Sequence, residues 1–144
     1  RIMDVCTRLK DTIALTALLT CILRMLFRLR TRNQRWRLYT PMLIRENRWR
    51  AMRYSFDEGL IDLARGKVVP FAELMDELCS LVAEDARALG CEAEIKGIHD
   101  ILTRGTSAHR QLKTYELERA SGASDEDSLK SVVDTLIADT AMGL

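Results

Sequence analysis

The fold is decided by residues 11–30, which have the sequence DTIALTALLTCILRMLFRLR. Leucine, isoleucine and methionine recur there at spacings of three and four residues, which predicts one long helix. Ala14, Ala17 and Cys21 extend the apolar surface almost all round the first half of this helix. Such a pattern is typical of a helix buried between other elements. The longest uncharged run, residues 12–23, is shorter than the roughly 20 residues that a bilayer span needs.

The rest of the chain is also predicted to be mainly helical, giving a mainly α fold with five or six helices and short extended segments. Thr40 and Pro41 begin a second helix that should run to about Tyr54. Further helices are expected over residues 70–89, 91–104, 106–120 and 124–138.

Extended chain is expected in two places. Residues 60–63 and 67–69 flank Ala64-Arg65-Gly66, which predicts a small hairpin or an irregular loop. Residues 1–6 are short and compatible with the end of a strand. Since the chain begins with Arg1 rather than Met, we expect either processing or a piece of a longer protein.

Composition excludes several classes of protein. The 144 residues are 47% hydrophobic and include only seven Gly and two Pro, which argues against a disordered or fibrous chain. Four cysteines without C-x-x-C spacing and only two histidines argue against a zinc site. No signal peptide pattern is visible, so we expect a cytoplasmic location.

Charge is divided unevenly along the chain, although the net charge is only +1. Residues 1–53 contain thirteen basic and three acidic side chains, whereas residues 54–144 contain nine basic and eighteen acidic ones. The two halves can neutralise each other across a contact, or the basic half can bind an anion such as phosphate. The acidic pair Glu84-Asp85 is interpreted as part of a helix surface.

Arginine rather than lysine dominates the segment 24–53, and tryptophan and tyrosine are interleaved with it. Arginine forms bidentate hydrogen bonds with carboxylate and phosphate groups. The segment therefore indicates nucleotide or nucleic-acid binding, or else a solvated face or a face that pairs with the acidic half. Its arginines are Arg24, Arg28, Arg30, Arg32, Arg35, Arg37, Arg45, Arg48, Arg50 and Arg53.

Two shorter segments are candidates for binding, and each also has a structural interpretation. Residues 46–54 (ENRWRAMRY) place Asn47, Arg50 and Tyr54 on one helix face. Residues 105–111 (GTSAHRQ) stand at a helix start, where free N–H groups and the helix dipole favour an anion. Ordinary capping accounts for the second segment equally well.

Several motifs in one order resemble the C-terminal part of bacterial carboxylate–amine ligases, the type 2 glutamate–cysteine ligase family. The resemblance covers nearly the whole chain and thins after about Ala120. The matching segments are Asp4 to Leu9, Asn33 to Arg37, Glu46 to Ala51 with Arg53-Tyr54, Gly59 to Asp62, Pro70 with Leu74 to Leu78, Ala88 to Cys91, and Gly105 to Ala108 with Arg110-Gln111.

The resemblance implies one C-terminal fragment, residues 1–144, of a single catalytic domain without an internal boundary. The parent would be an α+β protein with a glutamine synthetase-like antiparallel sheet, and helix 11–30 would pack behind that sheet. Its late strand carries Glu-x-Arg-x-x-Asp, so Arg1 matches the catalytic Arg and Asp4 the Asp. The matching Glu, a metal ligand, would lie upstream of residue 1.

The implied activity is an ATP-dependent ligase that forms an amide through an acyl phosphate. Its substrates would be glutamate or another carboxylate and an amine such as cysteine, with ATP and Mg²⁺ as cofactors. The Mg²⁺ ligands are expected mostly upstream, with no metal ligand in this fragment, which alone should be inactive. The residues expected to contact substrate or nucleotide are Asn47, Arg48, Arg50, Arg53, Ser107, Arg110 and Gln111.

A second hypothesis is a non-enzymatic helical module that binds nucleic acid or an acidic partner through residues 24–53. Salt-dependent binding to nucleic acid would be its signature. The ligase hypothesis expects no nucleic-acid partner and no membrane, and it leaves a homo-oligomer open.

Overall fold

The computed structural model describes residues 6–142 and confirms a mainly helical fold. The expected strand end at residues 1–6 lies, apart from Cys6, outside the described residues. Within residues 6–142, seven helices and two strands follow one another in the order α1 (Leu9–Thr31), α2 (Pro41–Tyr54), β1 (Leu60–Asp62), β2 (Lys67–Val69), α3 (Phe71–Leu81), α4 (Ala83–Leu89), α5 (Glu92–Arg104), α6 (Ser107–Ala120) and α7 (Asp125–Ala141).

The helix predicted over residues 70–89 consists of two helices, α3 and α4. Val82 separates them with φ −94° and ψ 3°, and its N–H donates to the carbonyl oxygen of Leu78 at 3.1 Å. The Val82 side chain is fully buried. No glycine or proline lies between Phe71 and Leu89, so the sequence contains none of the usual signals for this break.

The described chain divides into two compact units, and α1 contributes to both. The first unit contains residues 6–19 and 91–142, and its apolar core consists of Ala14, Leu18, Ile95 and Ile98. Gly97 allows α1 and α5 to approach closely, because a Cβ at this position would lie 3.1 Å from the Cβ of Ala14. Helices α6 and α7 pack against each other as a helical hairpin in the same unit.

The second unit contains residues 20–90, including the rest of α1, the β-hairpin and helices α2 to α4. Its most buried apolar residues are Cys21, Met25, Val69, Val82 and Ala86. The two units group residues by their contacts and do not test whether the chain is part of a single domain. The absence of an internal domain boundary therefore stays a prediction.

The predicted hairpin is confirmed as an antiparallel pair of short strands, with Leu60 opposite Val69 and Asp62 opposite Lys67. Asp62 shapes its turn, since one carboxylate oxygen accepts hydrogen bonds from the N–H groups of Ala64 and Arg65. The Arg65 hydrogen bond is the largest cause holding the pKa of Asp62 below its ordinary value, against the effect of burial.

Glycine is required just before β1. Gly59 has φ +68°, and a Cβ there would lie 2.2 Å from the carbonyl oxygen of Val69. Any other residue would therefore collide with the backbone of the partner strand. This requirement fixes the point at which the chain leaving α2 turns into the hairpin.

Helix α1 buries one face and exposes the other. Ala14, Leu18, Cys21 and Met25 are buried. The opposite face has no charged residue from Thr12 to Phe27 but remains exposed, as Ile13, Leu19, Leu23, Leu26 and Phe27 show. Burial on all sides, which the sequence pattern predicts, is therefore not achieved by contacts among the described residues.

By length and composition alone, α1 could also cross a membrane, and it is the one described helix of which this is true. A core helix of a soluble protein has the same properties. Only 28% of its apolar window is buried among the described residues, and a signal sequence near an N-terminus passes the same test.

Candidate functional site

Arg1, the predicted catalytic residue, lies outside the described residues, as does Asp4. Their roles stay predictions. The other predicted site residues fall on α2 and on the turn that begins α6, and the structure gives each of them a specific environment.

Helix α2 begins where the sequence predicts, with Thr40 as the preceding residue in extended conformation and Pro41 at the first helical position. Its inner face lies against β1 through Asn47. The side-chain nitrogen of Asn47 donates to the carbonyl oxygen of Ile61 at 2.8 Å, and its side-chain oxygen accepts from the Ile61 N–H at 2.7 Å. Asn47 thus pairs with both backbone groups of one strand residue, as a neighbouring strand would.

Arg50 fixes the loop between α2 and β1. Its Nη2 donates to the carbonyl oxygen of Glu58 at 3.0 Å, and its Nε donates to that of Gly59 at 3.3 Å. The guanidinium carbon lies 5.8 Å from the ring centroid of Tyr54, within the range of a cation–π interaction. The face shared by Asn47, Arg50 and Tyr54 therefore holds the hairpin in place.

Arg48 and Arg53 have a different environment. Both are exposed, and neither forms a hydrogen bond or an ion pair with any residue between 6 and 142. Trp49, which lies next to Arg48, is 48% exposed and contacts the ring of Tyr54 edge-on, with the centroids 5.6 Å apart. Trp49 and Arg53 share one face of α2 by their four-residue spacing, a combination suited to phosphate and to a planar base, whereas Arg48 lies on a different side of the helix.

The turn at residues 105–111 forms a helix cap. Thr106 Oγ1 accepts a weak hydrogen bond from the His109 N–H at 3.5 Å, and His109 Nδ1 accepts from the Thr106 N–H at 3.1 Å. These reciprocal bonds form a capping box, with histidine in place of the usual Glu or Gln. Gln111 donates to Ser107 Oγ at 3.0 Å. Ser107 and Gln111 are thus bonded to each other, and a role in substrate binding stays a prediction for both.

Arg110 is engaged in a cluster that joins three segments of the first unit. Its Nε and Nη2 donate to Asp139 Oδ2 at 3.0 and 2.8 Å, and its Nη1 donates to the carbonyl oxygen of Gly105 at 3.0 Å. Nη2 also donates to Thr7 Oγ1 at 3.1 Å. The Arg110 side chain is only 13% exposed, so its present contacts are structural.

Asp85 corrects one interpretation of the sequence. The pair Glu84-Asp85 was expected on a helix surface, but Asp85 is fully buried, while Glu84 remains 54% exposed. Arg28 binds both Asp85 oxygens, at 3.2 and 2.8 Å, and Arg24 donates to Oδ1 as well. The Arg28 hydrogen bond is the largest cause that lowers the pKa of Asp85, and it outweighs burial.

A second buried pair lies in the first unit, where Arg104 Nη2 donates to both oxygens of Asp11 at 2.6 and 2.7 Å. Sequence reasoning missed the buried acids Asp11, Asp85 and Asp139. Only the opposite charge of the two chain halves pointed to such pairs, and it identified no partners. Pairing of the basic first half with the acidic second half is confirmed for Arg8, Arg24 and Arg28. The pair of Asp11 and Arg104 has the opposite sense, since its acid lies in the basic half.

The second unit also contains a cleft of about 370 Å³. Aromatic, basic and acidic side chains line it, among them Trp36, Arg37, Tyr39, Asp62 and Glu77. None of the predicted site residues that the structure describes lines this cleft. Between residues 6 and 142, no group of three or more His, Cys, Asp or Glu side chains could hold a metal ion.

Comparison with known proteins gives one family. The model of glutamate–cysteine ligase family 2 matches residues 1–135. The chain is 55% identical over all of its 144 residues to a protein of Rhodospirillum rubrum named "Putative glutamate--cysteine ligase 2", of which it covers 37%. Proteins with the same name from Jannaschia sp. and Paracoccus denitrificans are 51% and 42% identical, with 96% and 95% of this chain and 36% of each relative covered.

The chain therefore spans a little over a third of the length of the curated relatives that it matches. No solved structure matches it.

Proposed function

The chain belongs to glutamate–cysteine ligase family 2, and from this premise we propose that it is part of an ATP-dependent carboxylate–amine ligase. The observation that carries the proposal is the family match, which extends over residues 1–135 and includes the ordered motifs on α2 and at the start of α6. We propose that the catalytic sheet is supplied by sequence upstream of residue 1, and that the 144 residues alone are inactive.

The proposed reaction has two steps. A carboxylate oxygen of glutamate, or of another carboxylic acid, attacks the γ-phosphorus of ATP, and the bond to the β–γ bridging oxygen breaks to release ADP. The nitrogen of an amine such as cysteine then attacks the acyl carbon of the acyl phosphate. Inorganic phosphate leaves, the nitrogen loses a proton, and an amide remains.

Cationic groups at the transferring phosphoryl group stabilise the charge that develops there. Arg48 and Arg53 are suited to this role, because both are exposed and lack a partner among residues 6–142. Arg1 is proposed as a further cation at the same phosphoryl group. Asn47 and Arg50 support the site indirectly, because their described hydrogen bonds hold β1 and the preceding loop against α2.

Mg²⁺ is the metal that such ligases need, and it would neutralise charge on the ATP phosphates. The described residues do not provide a set of ligands for it. We therefore assign the metal ligands to the upstream part of the protein and derive no step through the metal. A cytoplasmic location, with access to ATP, completes the proposal.

The test is an assay of ADP release by the full-length protein with ATP, Mg²⁺, glutamate and a panel of amines that includes cysteine. We expect ADP release that requires both the carboxylate and the amine, and a matching amount of amide product. The absence of any carboxylate- and amine-dependent turnover across a wide substrate panel would contradict the proposal. Residues 1–144 alone serve as the control that should be inactive.

The alternative of a nucleic-acid-binding module has less support. Arg24 and Arg28, which begin the arginine-rich segment, are occupied by Asp85. A continuous basic surface over residues 24–53 is therefore interrupted at its start. Salt-dependent binding to a labelled duplex or single strand by the full-length protein would favour this alternative, whereas no binding at low salt would exclude it.

A further inference from the structure

The linker between α1 and α2 takes its course from the way α1 ends. Asn33 has the left-handed φ of 56°, which asparagine adopts more readily than most residues. Its N–H donates to the carbonyl oxygen of Arg30 at 3.0 Å, and the Gln34 N–H donates to that of Leu29 at 2.8 Å. This pair of bonds is a Schellman motif, which ends a helix and directs the chain that follows. The linker, residues 34–40, is therefore fixed at its start by α1.

The linker supplies the aromatic side chains of the cleft of about 370 Å³ in the second unit. Trp36 and Tyr39 line this cleft, whereas Leu38 between them is 88% exposed and lies outside it. Leucines of α3 give the cleft an apolar surface as well, namely Leu74, Leu78 and Leu81. A concave site of this size with aromatic and apolar walls is typical of sites that bind small molecules.

Among the described residues, three charged side chains line the same cleft, and they differ in their existing contacts. Asp62 is buried, and its carboxylate accepts from the N–H groups of Ala64 and Arg65 and from Arg65 Nε. Glu77 is 53% exposed and lies 3.8 Å from Arg65. Arg37 is exposed and forms no hydrogen bond or ion pair with any residue between 6 and 142. Asp62 is thus engaged by its own turn, while Glu77 and Arg37 are available to a ligand.

Arg37 nevertheless lies near the acidic side of the cleft. The N–H of Arg65 is the largest cause that lowers the pKa of Asp62, and the positive charge of Arg37 lowers it further. Perturbed carboxylates in a cleft are a feature of binding sites, although a turn can produce the same shift. The cleft thus combines two aromatic rings, one available cation and one available carboxylate.

This combination matches the chemistry of an adenine nucleotide. The rings of Trp36 and Tyr39 can stack on the flat base. The guanidinium group of Arg37 can donate to phosphate oxygens, which it binds in bidentate fashion. The carboxylate of Glu77 can accept a hydrogen bond from the amino group of the base.

We propose that this cleft binds the adenine base of ATP, with Trp36 and Tyr39 against the ring and Arg37 at the phosphate attached to the ribose. This inference rests on the proposed function, which requires ATP, and it adds the place where the base lies. Trp49 on α2 is the rival location. Its ring lies on a helix surface rather than in a cleft, and a cleft encloses more of a ligand.

The test measures ATP binding to the full-length protein by isothermal titration calorimetry. Trp36→Ala should raise the Kd for ATP between about fivefold and 100-fold, because it removes a stacking partner of the base. Trp36→Phe, which retains a ring, should raise it by less than about threefold. Leu38→Ala is the matched control on the same linker and should change the Kd by less than about twofold, since Leu38 lies outside the cleft. A folded Trp36→Ala variant with the Kd of this control would overturn the inference.

Inorganic triphosphate separates a lost base contact from general damage to the protein. It has the phosphates of ATP but no base, so Trp36→Ala should change its Kd by less than about twofold. Equal weakening of ATP and triphosphate would contradict a contact with the base. Weaker ATP binding in Trp49→Ala, with none in Trp36→Ala, would place the base on α2 and overturn the inference as well.

Arg37→Ala keeps the proposal testable if Trp36→Ala does not fold, because Arg37 is exposed and forms no direct bond among residues 6–142. Wild-type protein should bind AMP about tenfold more tightly than adenosine, through the phosphate. Arg37→Ala should reduce this ratio below about threefold, and an unchanged ratio would overturn the inference.

The two proposals fail separately. A protein that binds ATP through Trp36 but shows no turnover with any carboxylate and amine would reject the ligase function alone. An active ligase whose Trp36→Ala and Arg37→Ala variants bind ATP and AMP as the wild type does would reject the adenine site alone. A protein that binds no ATP would reject both.

Discussion

Two groups of arginines in this chain differ in their partners. The paired arginines, Arg8, Arg24, Arg28, Arg104 and Arg110, bind the buried carboxylates Asp11, Asp85 and Asp139. The open arginines of α2, Arg48 and Arg53, are exposed and have no partner among residues 6–142. The two groups look alike in the sequence, and the comparison teaches that a buried carboxylate, rather than arginine density, decides which cations remain available to a ligand.

The largest effect is expected from removing a buried acid. Asp85→Ala leaves Arg24 and Arg28 without their carboxylate, and loss of one partner of a buried ion pair typically costs about 3–5 kcal/mol. Denaturant unfolding of the full-length protein measures this loss. Glu84→Ala is the control, because Glu84 is an exposed partner of Arg28 and should cost at most about 1 kcal/mol. Equal losses for both variants would show that burial does not distinguish the paired arginines.

The open arginines should show the opposite behaviour. Arg48→Ala is expected to lower kcat/KM for ATP by about 100-fold, or about 2.7 kcal/mol, through the loss of one cation at the phosphoryl group. The melting temperature should stay within about 1 °C of the wild type, because Arg48 has no partner between residues 6 and 142. Arg28→Ala is the comparison variant, with a lowered melting temperature and nearly normal kinetics in its folded fraction. An Arg48→Ala variant that is destabilised but has normal kinetics would contradict the assignment of Arg48 to the open arginines.

A smaller effect is expected at the contact between α2 and the hairpin. Asn47→Leu leaves the N–H and carbonyl groups of Ile61 without their side-chain partner, which should cost about 2 kcal/mol. Hydrogen exchange at residues 60–69 should accelerate accordingly. Glu46→Gln, an exposed change on the same helix, should leave exchange unaltered. Unchanged protection in Asn47→Leu would show that the hairpin does not depend on α2.

The smallest effect is the dependence of stability on pH. The pKa of Asp85 is lowered in the folded state, first by its hydrogen bond to Arg28. Its contribution is therefore complete well above the unfolded pKa, near 3.9, and is lost as pH falls through that value towards the lowered folded pKa. Melting temperatures of wild type between pH 5 and pH 3 should fall more steeply than those of Asp85→Asn. Parallel curves would contradict a charged, paired Asp85.

Local features of the fold could be predicted well because their signals lie in adjacent residues. The start of α2 follows from Thr40-Pro41, and the hairpin is one of the two alternatives indicated by the apolar runs around Gly66. The division of one predicted helix at Val82 could not be predicted, because no helix breaker marks it. Val82 is fully buried in the second unit, so the break coincides with tertiary packing rather than with a local sequence signal.

The candidate site was predictable only in part, for a related reason. The spacing of Asn47 and Arg50 places them on one face of α2, and the structure shows what that face contacts. The partner of Arg8 is 131 positions away and that of Arg28 is 57 positions away, so no local pattern connects them. Charge asymmetry left pairing of the halves and anion binding open as alternatives, and only the folded chain shows which arginines are paired with carboxylates.

The exposed apolar face of α1 is explained by the proposal that the protein, like its longer relatives, has a sheet upstream of residue 1. A helix face with no charge over four turns, ending at the exposed Phe27, is unusual for a surface in contact with water. The ligase proposal accounts for this face by placing the upstream sheet against it.

The measurement that tests the central claim most directly follows an oxygen atom. Glutamate labelled with ¹⁸O in its carboxylates is incubated with the full-length protein, ATP, Mg²⁺ and cysteine, and the phosphate released is analysed by mass spectrometry. Activation as an acyl phosphate predicts one ¹⁸O atom in each molecule of inorganic phosphate formed with amide. Phosphate that contains no ¹⁸O, released together with amide, would contradict the proposed chemistry.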